Sequence, residues 1–503
     1  MDPIRLEKLE QLRALGIDPY PTTPFPTNTT AAEILRYYPQ QKLDFKAVRL
    51  AGRVWRKRLM GKASFAVLRD ETGDIQLYFQ RDTFAQNPEL YDTIFKKLID
   101  LGDIIGVEGF VFTTKTGEIT VHVERFQLLA KCLRPLPIEK ATEEKVYEAF
   151  TDPELRYRQR YVDLIVHLGV RELFRRRTAI VQAIREFFNQ RGYLEVETPI
   201  LQPVYGGAFA RPFVTHLHAL DMPLYLRIAN ELYLKRLLVG GFTGVYEFSK
   251  DFRNEGIDRF HNPEFTQVEL YVAYQDYYWM MELVEALLET VVQRVTGGTK
   301  VRYGDLELVF QAPFRRVRYY EVLAETLGQD VRNLSEPELL ALLHQRGLPL
   351  PEPPYERIDL IAQLFDKVVE PTLRQPTFVL DYPVEISPLA KRHRSDPSVT
   401  ERFELIVAGK ELANAYSELN DPLDQRARLE RQAALRAAGG MEAMPLDEDF
   451  LRALEYGMPP TAGLGLGIDR LTMLLCDAPS IQEVILFPLL RPEGGTTAPP
   501  TSS

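Results

Sequence analysis

Arg253 and Glu255 form an Arg-x-Glu triplet between two apolar stretches, residues 246–252 and 265–270. The alternation of apolar residues on either side predicts two strands joined by a polar loop, with Arg253 and Glu255 on the same strand face. An arginine on a rigid strand suits a phosphoryl oxygen, because its planar guanidinium is always charged and can bind in a bidentate way. Taken alone, so short a triplet is equally typical of ordinary surface charge.

Glu411 and Glu418 lie seven residues apart in the stretch 409–420. This spacing allows the two glutamates to share a helix face or to stand at the ends of a strand. Two acids beside an apolar strand are suitable ligands for Mg²⁺ that bridges nucleotide phosphates. Without further support, two glutamates on a solvent-exposed surface are the simpler interpretation.

The stretch 462–471 has glycine at every second position from Gly463 to Gly467, followed by Arg470. This pattern permits the close approach of another backbone or of a ligand at a strand–helix junction. Arg470 at the helix start would add positive charge beside the N-terminal dipole, where an anion is favoured. Neither the dinucleotide-binding glycine fingerprint nor a phosphate-binding P-loop occurs in the sequence.

Residues 49–62 contain six basic residues and no acidic one, in a chain whose formal net charge is −10. Phe65, Gln76 and Tyr78 follow shortly afterwards. A basic face with an exposed aromatic side chain suits single-stranded bases, because the phosphates are neutralised and a base can stack on the ring. The alternatives are a solvated strand and loop, and a place for Phe65 in the core.

The length and composition of the chain allow a large scaffold that positions these residues. The 503 residues, of which 45% are hydrophobic and 26% charged, exclude a wholly disordered chain and suggest about three structural units. Two cysteines cannot build a disulfide framework and the seven histidines show no zinc-ligand spacing, which favours a reducing, cytoplasmic compartment. Because no signal peptide and no membrane-spanning apolar run occur, we expect a soluble protein without membrane contact.

Apolar and polar residues alternate in about five short runs between residues 48 and 129. With a helical interruption near residues 90–101, these runs predict a small closed barrel of the OB type; another small β-sandwich is the alternative. The residues after the barrel mix helices and strands without regular βαβ alternation, which favours an α+β domain. Within it, the sequence predicts a helix that stops at Gly192 and a strand that ends before Pro199.

The predicted organisation has five parts. They are an N-terminal helical extension (1–45), the barrel (46–132), a linker (133–150), an α+β domain (151–492) with a helical insertion at about 335–373, and a disordered tail (493–503).

Together, these stretches resemble the class II aminoacyl-tRNA synthetases, and most closely the bacterial type of lysyl-tRNA synthetase. The three class II motifs are matched in order by the helix and strand that end at Pro199, by the Phe-Arg-x-Glu stretch at Arg253 and by the glycine-rich stretch that ends at Arg470. The lysine branch is indicated by the segments 206–208, 227–233, 265–271 and 417–420.

The resemblance implies an α+β protein with an N-terminal OB-fold barrel that binds the anticodon and a class II catalytic domain built on an antiparallel sheet flanked by helices. It implies that L-lysine is activated with ATP to lysyl-adenylate and pyrophosphate, and that lysine is then transferred to the 3′-end of tRNA(Lys). Mg²⁺ with the ATP substrate, a homodimer and a cytoplasmic location belong to the same expectation. Because the first step is an in-line attack on the α-phosphorus, catalysis is largely positioning and charge neutralisation.

The resemblance also implies roles for individual residues. On the ATP side they are Arg253 at the α-phosphate and carboxylate, Glu255 at the adenine, Phe265 stacked on the base, His261 and Arg470 at the γ-phosphate, and Glu411 and Glu418 at Mg²⁺. Around the lysine they are Glu269, Glu418 and the Tyr271 hydroxyl at the ε-amino group, with Gly207, Glu231, Asn414 and Tyr416 completing the site. The implied anticodon-binding residues are Arg58, Phe65, Gln76 and Glu124.

Two other interpretations stay open. A class II synthetase for Asp or Asn is opposed by the glutamates, because a carboxylate or amide side chain calls for Arg or Lys around it. A non-catalytic RNA-binding relative predicts damaged ATP positions, whereas those positions are intact. Asn230, where the family often has proline, and Tyr416, where phenylalanine is common, depart from the family pattern.

Overall fold

The computed structural model describes residues 1–137, 140–142, 145–147, 150–351, 353, 355–440 and 442–493. These residues divide into two compact units, 1–168 and 169–503. The predicted tail beyond residue 493 and six residues of the predicted linker lie outside the described residues. In the described part of the chain, no helix combines the length and the apolar character needed to cross a membrane.

The N-terminal unit is built around a closed five-stranded barrel. Its elements are α1 (Pro3–Ala14), α2 (Ala31–Tyr37), β1 (Val48–Met60), β2 (Ala63–Arg69), β3 (Asp74–Gln80), β4 (Ile104–Thr113), β5 (Ile119–Ala130), β6 (Lys140–Thr142), β7 (Lys145–Tyr147), α3 (Pro153–Arg158) and α4 (Arg160–Val166). The barrel order is β1-β2-β3-β5-β4, and Leu90–Leu98 form a π-helix between β3 and β4. A closed barrel with a helical interruption at this place confirms the OB type and excludes the sandwich alternative.

Alternate residues of the barrel strands point into one apolar core. In β2 and β3 buried and half-buried residues alternate strictly, and Leu68 and Leu77 are fully buried. Leu12 of α1 and Ile34 of α2 belong to the same core, so the two N-terminal helices pack on the barrel. Each aliphatic side chain buried in this way contributes about 1.5–3 kcal/mol to folding.

The C-terminal unit combines one large sheet with helices. Its elements are α5 (Leu168–Asn189), β8 (Leu194–Glu195), β9 (Leu201–Gln202), β10 (Val214–Leu217), β11 (Met222–Leu226), α6 (Glu231–Val239), β12 (Gly244–Phe252), β13 (Glu264–Ala273), α7 (Tyr277–Thr296), β14 (Lys300–Tyr303), β15 (Leu306–Val309), β16 (Arg315–Arg318), α8 (Tyr319–Leu327), α9 (Glu336–Gln345), α10 (Arg357–Leu364), β17 (Thr377–Leu380), β18 (Arg402–Val407), β19 (Lys410–Ser417), α11 (Pro422–Ala437), α12 (Glu448–Glu455), β20 (Thr461–Gly467), α13 (Ile468–Leu475) and α14 (Ile481–Val484). Helices α3 and α4 group with the N-terminal unit.

Eight strands form the central sheet in the order β16-β17-β18-β19-β20-β13-β12-β8. The inner pairs, from β17 to β12, are antiparallel, whereas the outermost pairs, β16 with β17 and β12 with β8, are parallel. A mainly antiparallel sheet with helices packed on it confirms the predicted α+β class.

Helices α5 and α7 cover one face of this sheet and form the main core with it. Val268 and Leu270 of β13 pack in one cluster with Phe188 of α5 and Leu287 of α7. Because side chains alternate along a strand, the odd-numbered residues of β13 from 265 to 271 face the opposite side of the sheet. That side is polar.

The leucine-rich helices after β16 have a core of their own. Helices α9 and α10 lie within the stretch predicted as a helical insertion. Leu343 of α9 and Ile361 of α10 pack with Leu323 of α8 and with Val379 of β17. The insertion is therefore anchored on the edge of the central sheet.

Candidate active site

A cavity of about 350 Å³ opens on the polar face of the central sheet. Its walls come from β13, β19 and β20, from the loop after β12 and from the start of α13. All residues predicted to bind ATP, metal or amino acid line it, namely Gly207, Glu231, Arg253, Glu255, His261, Phe265, Glu269, Tyr271, Glu411, Asn414, Tyr416, Glu418 and Arg470. The structure therefore brings together groups that are spread over more than 260 residues of sequence.

Arg253 and Glu255 lie in the loop after β12, because this strand ends at Phe252. The antiparallel pairing of β12 with β13 confirms the predicted two strands, but the predicted shared strand face for Arg253 and Glu255 is wrong. The backbone N–H of Arg253 donates to the carbonyl of Pro263 at 2.9 Å, and its guanidinium lies 5.0 Å from the ring centroid of Phe265. Arg253 is thus fixed across the loop, beside an aromatic ring of the next strand.

Arg470 lies in the first turn of α13, directly after the glycine-rich strand β20, as predicted. Its guanidinium donates to the backbone carbonyl of Glu411 at 2.6 Å and lies 3.4 Å from Oε2 of the same residue. A second guanidinium nitrogen is 3.2 Å from Nε2 of His261, whose Nδ1 lies 2.8 Å from Asp258. Arg470, Glu411 and His261 therefore meet at one end of the cavity.

Gly463 of β20 is at a position where a side chain would collide with its neighbours. A Cβ at this position would lie 2.6 Å from Cε1 of Tyr271 and would also collide with the carboxylate of Glu418. Real carbon contacts are longer, so a side chain here would displace both groups. The predicted close approach is therefore between the β20 backbone and two side chains that line the cavity.

Three buried carboxylates form the inner end of the cavity. Glu231 opens α6, Glu269 lies in β13 and Glu418 follows β19, and each is 5% exposed or less. Nζ of the fully buried Lys235 donates to Glu231 at 2.5 Å and pairs with Glu418. Among the residues that the structure describes, Lys235 is the one cation that pairs with any of these three carboxylates, and it pairs with Glu231 and Glu418. The inner end of the cavity is therefore rich in acidic groups.

Glu269 is held by neutral donors. The Nε2 of Gln267 donates to Oε1 at 2.7 Å, and the Tyr271 hydroxyl donates to Oε2 at 3.0 Å. Burial, and then the charges of Asp251 and Glu231, raise the pKa of Glu269 well above its ordinary range. A cation placed beside this carboxylate would favour its ionised form.

The other residues predicted around the amino acid surround this acidic end. The Tyr416 hydroxyl donates to Glu231 at 2.7 Å, and Oδ1 of Asn414 accepts from Arg402 at 3.1 Å. Gly207 has a φ of +90°, which side chains rarely tolerate, and a Cβ there would lie 3.1 Å from Cβ of Glu231. The backbone can therefore approach this part of the cavity closely only with glycine at 207.

Asn230, which departs from the family's proline, is fully buried at the start of α6. Its Nδ2 donates to Glu247 of β12 at 2.8 Å, and Arg227 donates to the other oxygen of the same carboxylate at 2.7 Å. The asparagine amide thus links α6 to the sheet by a hydrogen bond that a proline side chain could not make.

Glu411 and Glu418 do not form a pair. They lie at the two ends of β19, roughly 20 Å apart for an extended strand. Oxygen ligands of a single Mg²⁺ lie about 2.1 Å from the ion, so these two carboxylates cannot share one. Glu418 pairs with Lys235, and the predicted metal roles of Glu411 and Glu418 stay predictions that would need separate ions.

Glu404 of β18 is the acid that lies beside Glu411. In the β18–β19 register Glu411 is opposite Ile406, and Glu404 is two residues along the same strand. Burial, and then the charge of Glu411, raise the pKa of Glu404 to about 8. Sequence reasoning missed Glu404, since its position depends on a hairpin register that contains a bulge. One signal in the sequence could have indicated this neighbour: Glu404 is an acid seven residues before Glu411, across the turn at Gly409.

In the N-terminal unit, four predicted or neighbouring residues form a row across the outer face of the barrel. The register places Arg58 opposite Phe65, Phe65 opposite Tyr78 and Tyr78 opposite His122. Phe65 is half-buried, its ring centroid is 5.2 Å from that of Tyr78, and both rings line an open aromatic groove. Phe65 is therefore a surface residue and not part of the barrel core.

Gln76 and Glu124, the other residues predicted to bind the anticodon, lie on the same outer face. Gln76 lies between two buried residues of β3, and its Nε2 lies 3.4 Å from the hydroxyl of Thr120. Glu124 is exposed. The barrel thus presents basic, aromatic and hydrogen-bonding side chains together.

Two family models match the chain. One, described as tRNA synthetases class II (D, K and N), matches residues 152–491, about two thirds of the chain. The other, described as OB-fold nucleic acid binding domain, matches residues 48–129. The first match contains every residue that lines the cavity, and the second contains the barrel.

Similar proteins extend over nearly the whole chain. A lysine–tRNA ligase of Porphyromonas gingivalis is 53% identical over 493 residues, which are 97% of this chain and 85% of that protein. A lysine–tRNA ligase of Azobacteroides pseudotrichonymphae is 53% identical over 492 residues, which are 97% of this chain and 98% of that protein. With this identity, the family match and the glycine-lined cavity at a β20–α13 junction, the chain belongs to the class II tRNA synthetases.

Proposed function

We propose that the chain is a lysine–tRNA ligase. It activates L-lysine with ATP to give lysyl-adenylate and pyrophosphate, and then transfers the lysyl group to the 3′-end of tRNA(Lys). The observation that carries this proposal is the excess of buried carboxylates at the inner end of the cavity. Relatives named lysine–tRNA ligase at 53% identity support it.

Lysine carries two ammonium groups and one carboxylate, and the cavity offers groups of the matching charge. Lys235 pairs with Glu231 and Glu418, so among the described residues the three carboxylates outnumber the one ammonium by two, which matches the two ammonium groups of the substrate. Glu269 and Glu418, with the Tyr271 hydroxyl, bind the ε-ammonium, and Glu231 binds the α-ammonium. A desolvated ammonium needs such partners, because leaving it unpaired costs several kcal/mol.

Gly207, Asn414 and Tyr416 complete the amino-acid site by their shape and hydrogen bonds. Gly207 leaves room for the backbone of the substrate, and the Tyr416 hydroxyl holds Glu231 in place. An aspartate or asparagine in this site would leave the buried carboxylates unpaired, so discrimination against both is large. The same charge argument disfavours the Asp and Asn branches of the family.

ATP binds between the loop after β12 and the start of α13. Phe265 stacks on the adenine and Glu255 bonds its edge, while Arg470 and His261 bind the γ-phosphate. Arg253 binds both the α-phosphate and the lysine carboxylate. One oxygen of the ionised lysine carboxylate attacks the α-phosphorus in line with the departing pyrophosphate, so the step needs alignment and charge neutralisation rather than a base.

Mg²⁺ fits this site beside Glu404 and Glu411. Burial and the charge of Glu411 raise the pKa of Glu404 to about 8, which supports a place for a hard cation beside these two carboxylates. Among the described residues, no group of three or more acidic, histidine or cysteine side chains could hold a metal. Glu404 and Glu411 would hold the ion, which would supply neutralisation of phosphate charge.

The barrel binds the anticodon. Phe65 stacks on a base, which contributes about 1–3 kcal/mol, and Arg58 neutralises a phosphate. Gln76 and Glu124 bond the edges of bases, which single-stranded RNA leaves accessible. Recognition by the barrel selects tRNA(Lys), whereas the cavity selects the amino acid.

The same family membership supports a homodimer in the cytoplasm. Most soluble oligomers are symmetric dimers, and a two-fold arrangement would place the same surface of each chain at the interface. Light scattering on the purified protein tests this, with twice the mass of one chain expected.

The proposed activity is tested by ATP–pyrophosphate exchange on the purified protein with lysine, aspartate or asparagine added singly. We expect exchange with lysine and none above background with the two others. Exchange that depends on aspartate or asparagine instead, or on no amino acid, would overturn the proposal.

A further inference from the structure

Gln267 bridges two buried carboxylates at the wall of the cavity. Its Nε2 donates to Oδ2 of Asp251 at 2.6 Å and to Oε1 of Glu269 at 2.7 Å. Asp251 is fully buried and Glu269 is 5% exposed. The amide NH₂ group carries two donors, so it can donate to both carboxylates at once.

Asp251 and Glu269 differ in the partners that hold them. Asp251 also accepts from the Ser249 hydroxyl at 2.9 Å and lies 3.2 Å from Nε of Arg227. In the described structure the hydrogen bonds to Glu269 come from Gln267 and Tyr271, both neutral. Glu269 therefore depends on the glutamine far more than Asp251 does.

We propose that Gln267 is a positioning residue for the amino-acid site: by clamping Oε1 of Glu269 to Asp251, it holds Glu269 ionised and aligned for the substrate ammonium. This inference rests on the proposed function, because it takes Glu269 as a partner of the lysine ε-ammonium. Gln267 itself needs no contact with the ammonium.

The surroundings of Glu269 oppose its ionisation. The titratable and charged groups that face it are Tyr271 of its own strand, Asp251 and Glu247 of β12 and Glu231 of α6, with Glu418 and Lys235 next to them. The neighbouring carboxylates favour the protonated form of Glu269, whereas hydrogen bonds donated to it favour the ionised form. Removal of the Gln267 amide would thus require a higher pH for the same lysine affinity.

The variant Gln267→Met removes both donated hydrogen bonds while nearly preserving side-chain length and volume. Its matched control is Gln202→Met, since Gln202 is also buried and donates to the carbonyl of Pro199 at 3.1 Å but does not line the cavity. In lysine-dependent pyrophosphate exchange, we expect Gln267→Met to raise KM for lysine about tenfold, the usual effect of losing a hydrogen bond to a charged group. KM for ATP should stay within about twofold, and the control should leave both constants unchanged.

The pH profile separates positioning from simple loss of structure. For Gln267→Met, the acidic limb of kcat/KM for lysine should shift to higher pH. In Gln267→Glu the new carboxylic acid is neutral at low pH and still donates one hydrogen bond, whereas at high pH its negative charge repels Glu269. For this variant, kcat/KM for lysine should therefore fall as the pH rises.

The outcomes distinguish this inference from the proposed function. Absence of lysine-dependent exchange in the unmodified protein would overturn both. If the unmodified protein uses lysine but Gln267→Met keeps its KM for lysine and its pH profile, the inference is wrong and the function stands. An equal rise in KM for lysine and for ATP would also overturn the inference, because a clamp on Glu269 acts on lysine alone.

Discussion

Replacing Glu269 by glutamine removes one buried negative charge and preserves the shape of the side chain. If Glu269 binds the ε-ammonium, the variant removes one of the two buried carboxylates assigned to that ammonium. Removing one partner of a buried ion pair costs about 3–5 kcal/mol, so KM for lysine should rise by roughly two to four orders of magnitude. KM for ATP should change little, because Glu269 lies at the opposite end from Arg470.

The same substitution should also weaken the pH dependence of the free energy of unfolding. The pKa of Glu269 is raised by burial and by the charges of Asp251 and Glu231, so its ionised form is disfavoured in the folded protein. Between the ordinary and the raised pKa the folded state binds more protons than the unfolded state, and stability falls as pH rises. Glu269→Gln has no such titration, so without ligand its free energy of unfolding should fall less between pH 5 and pH 8.

The assays are lysine-dependent pyrophosphate exchange and denaturant unfolding at several pH values. Glu285→Gln is the matched control: Glu285 is 6% exposed on α7, where it accepts from the backbone of Phe314 at 2.8 Å, away from the cavity. The control should leave KM for lysine unchanged. A normal KM for lysine in Glu269→Gln, or a loss of affinity for ATP as large as that for lysine, would refute the charge argument.

Three further substitutions test other parts of the site. Arg253→Ala should abolish adenylate formation and leave tRNA binding in a filter assay nearly unchanged; equal loss of both would contradict its role at the α-phosphate. Phe65→Ala should raise KM for tRNA by the equivalent of about 1–3 kcal/mol with normal lysine activation, and unchanged tRNA kinetics would exclude base stacking on this ring. Gly463→Ala should raise KM for lysine at least tenfold, because its Cβ would displace Tyr271, 2.6 Å away; a normal KM would show that the cavity tolerates the methyl group.

Much of the scaffold could be predicted because it follows local patterns. Strict alternation over β2 and β3 predicts strands that cover a barrel core, and glycine at every second position before Arg470 predicts the β20–α13 junction. These signals need no knowledge of distant partners. The residues around the cavity came from the family resemblance, and their roles remain predictions.

What the sequence did not reveal depends on which strands pair and in which register. Glu404 lies near Glu411, because a bulged hairpin places β18 beside β19. Lys235 reaches Glu418, and Gln267 reaches Asp251, across separate elements, and neither contact leaves a periodic signal. Alternation alone also did not predict that β12 ends at Phe252, just before Arg253, because the end of a strand is set by the strands that pair with it.

A crystal structure of the protein with L-lysine and a non-hydrolysable ATP analogue would test the central claim most directly. The account predicts that the ε-nitrogen lies about 3 Å from a carboxylate oxygen of Glu269 and from the Tyr271 hydroxyl. An amino-acid side chain that extends into solvent and contacts none of the three buried glutamates would contradict it.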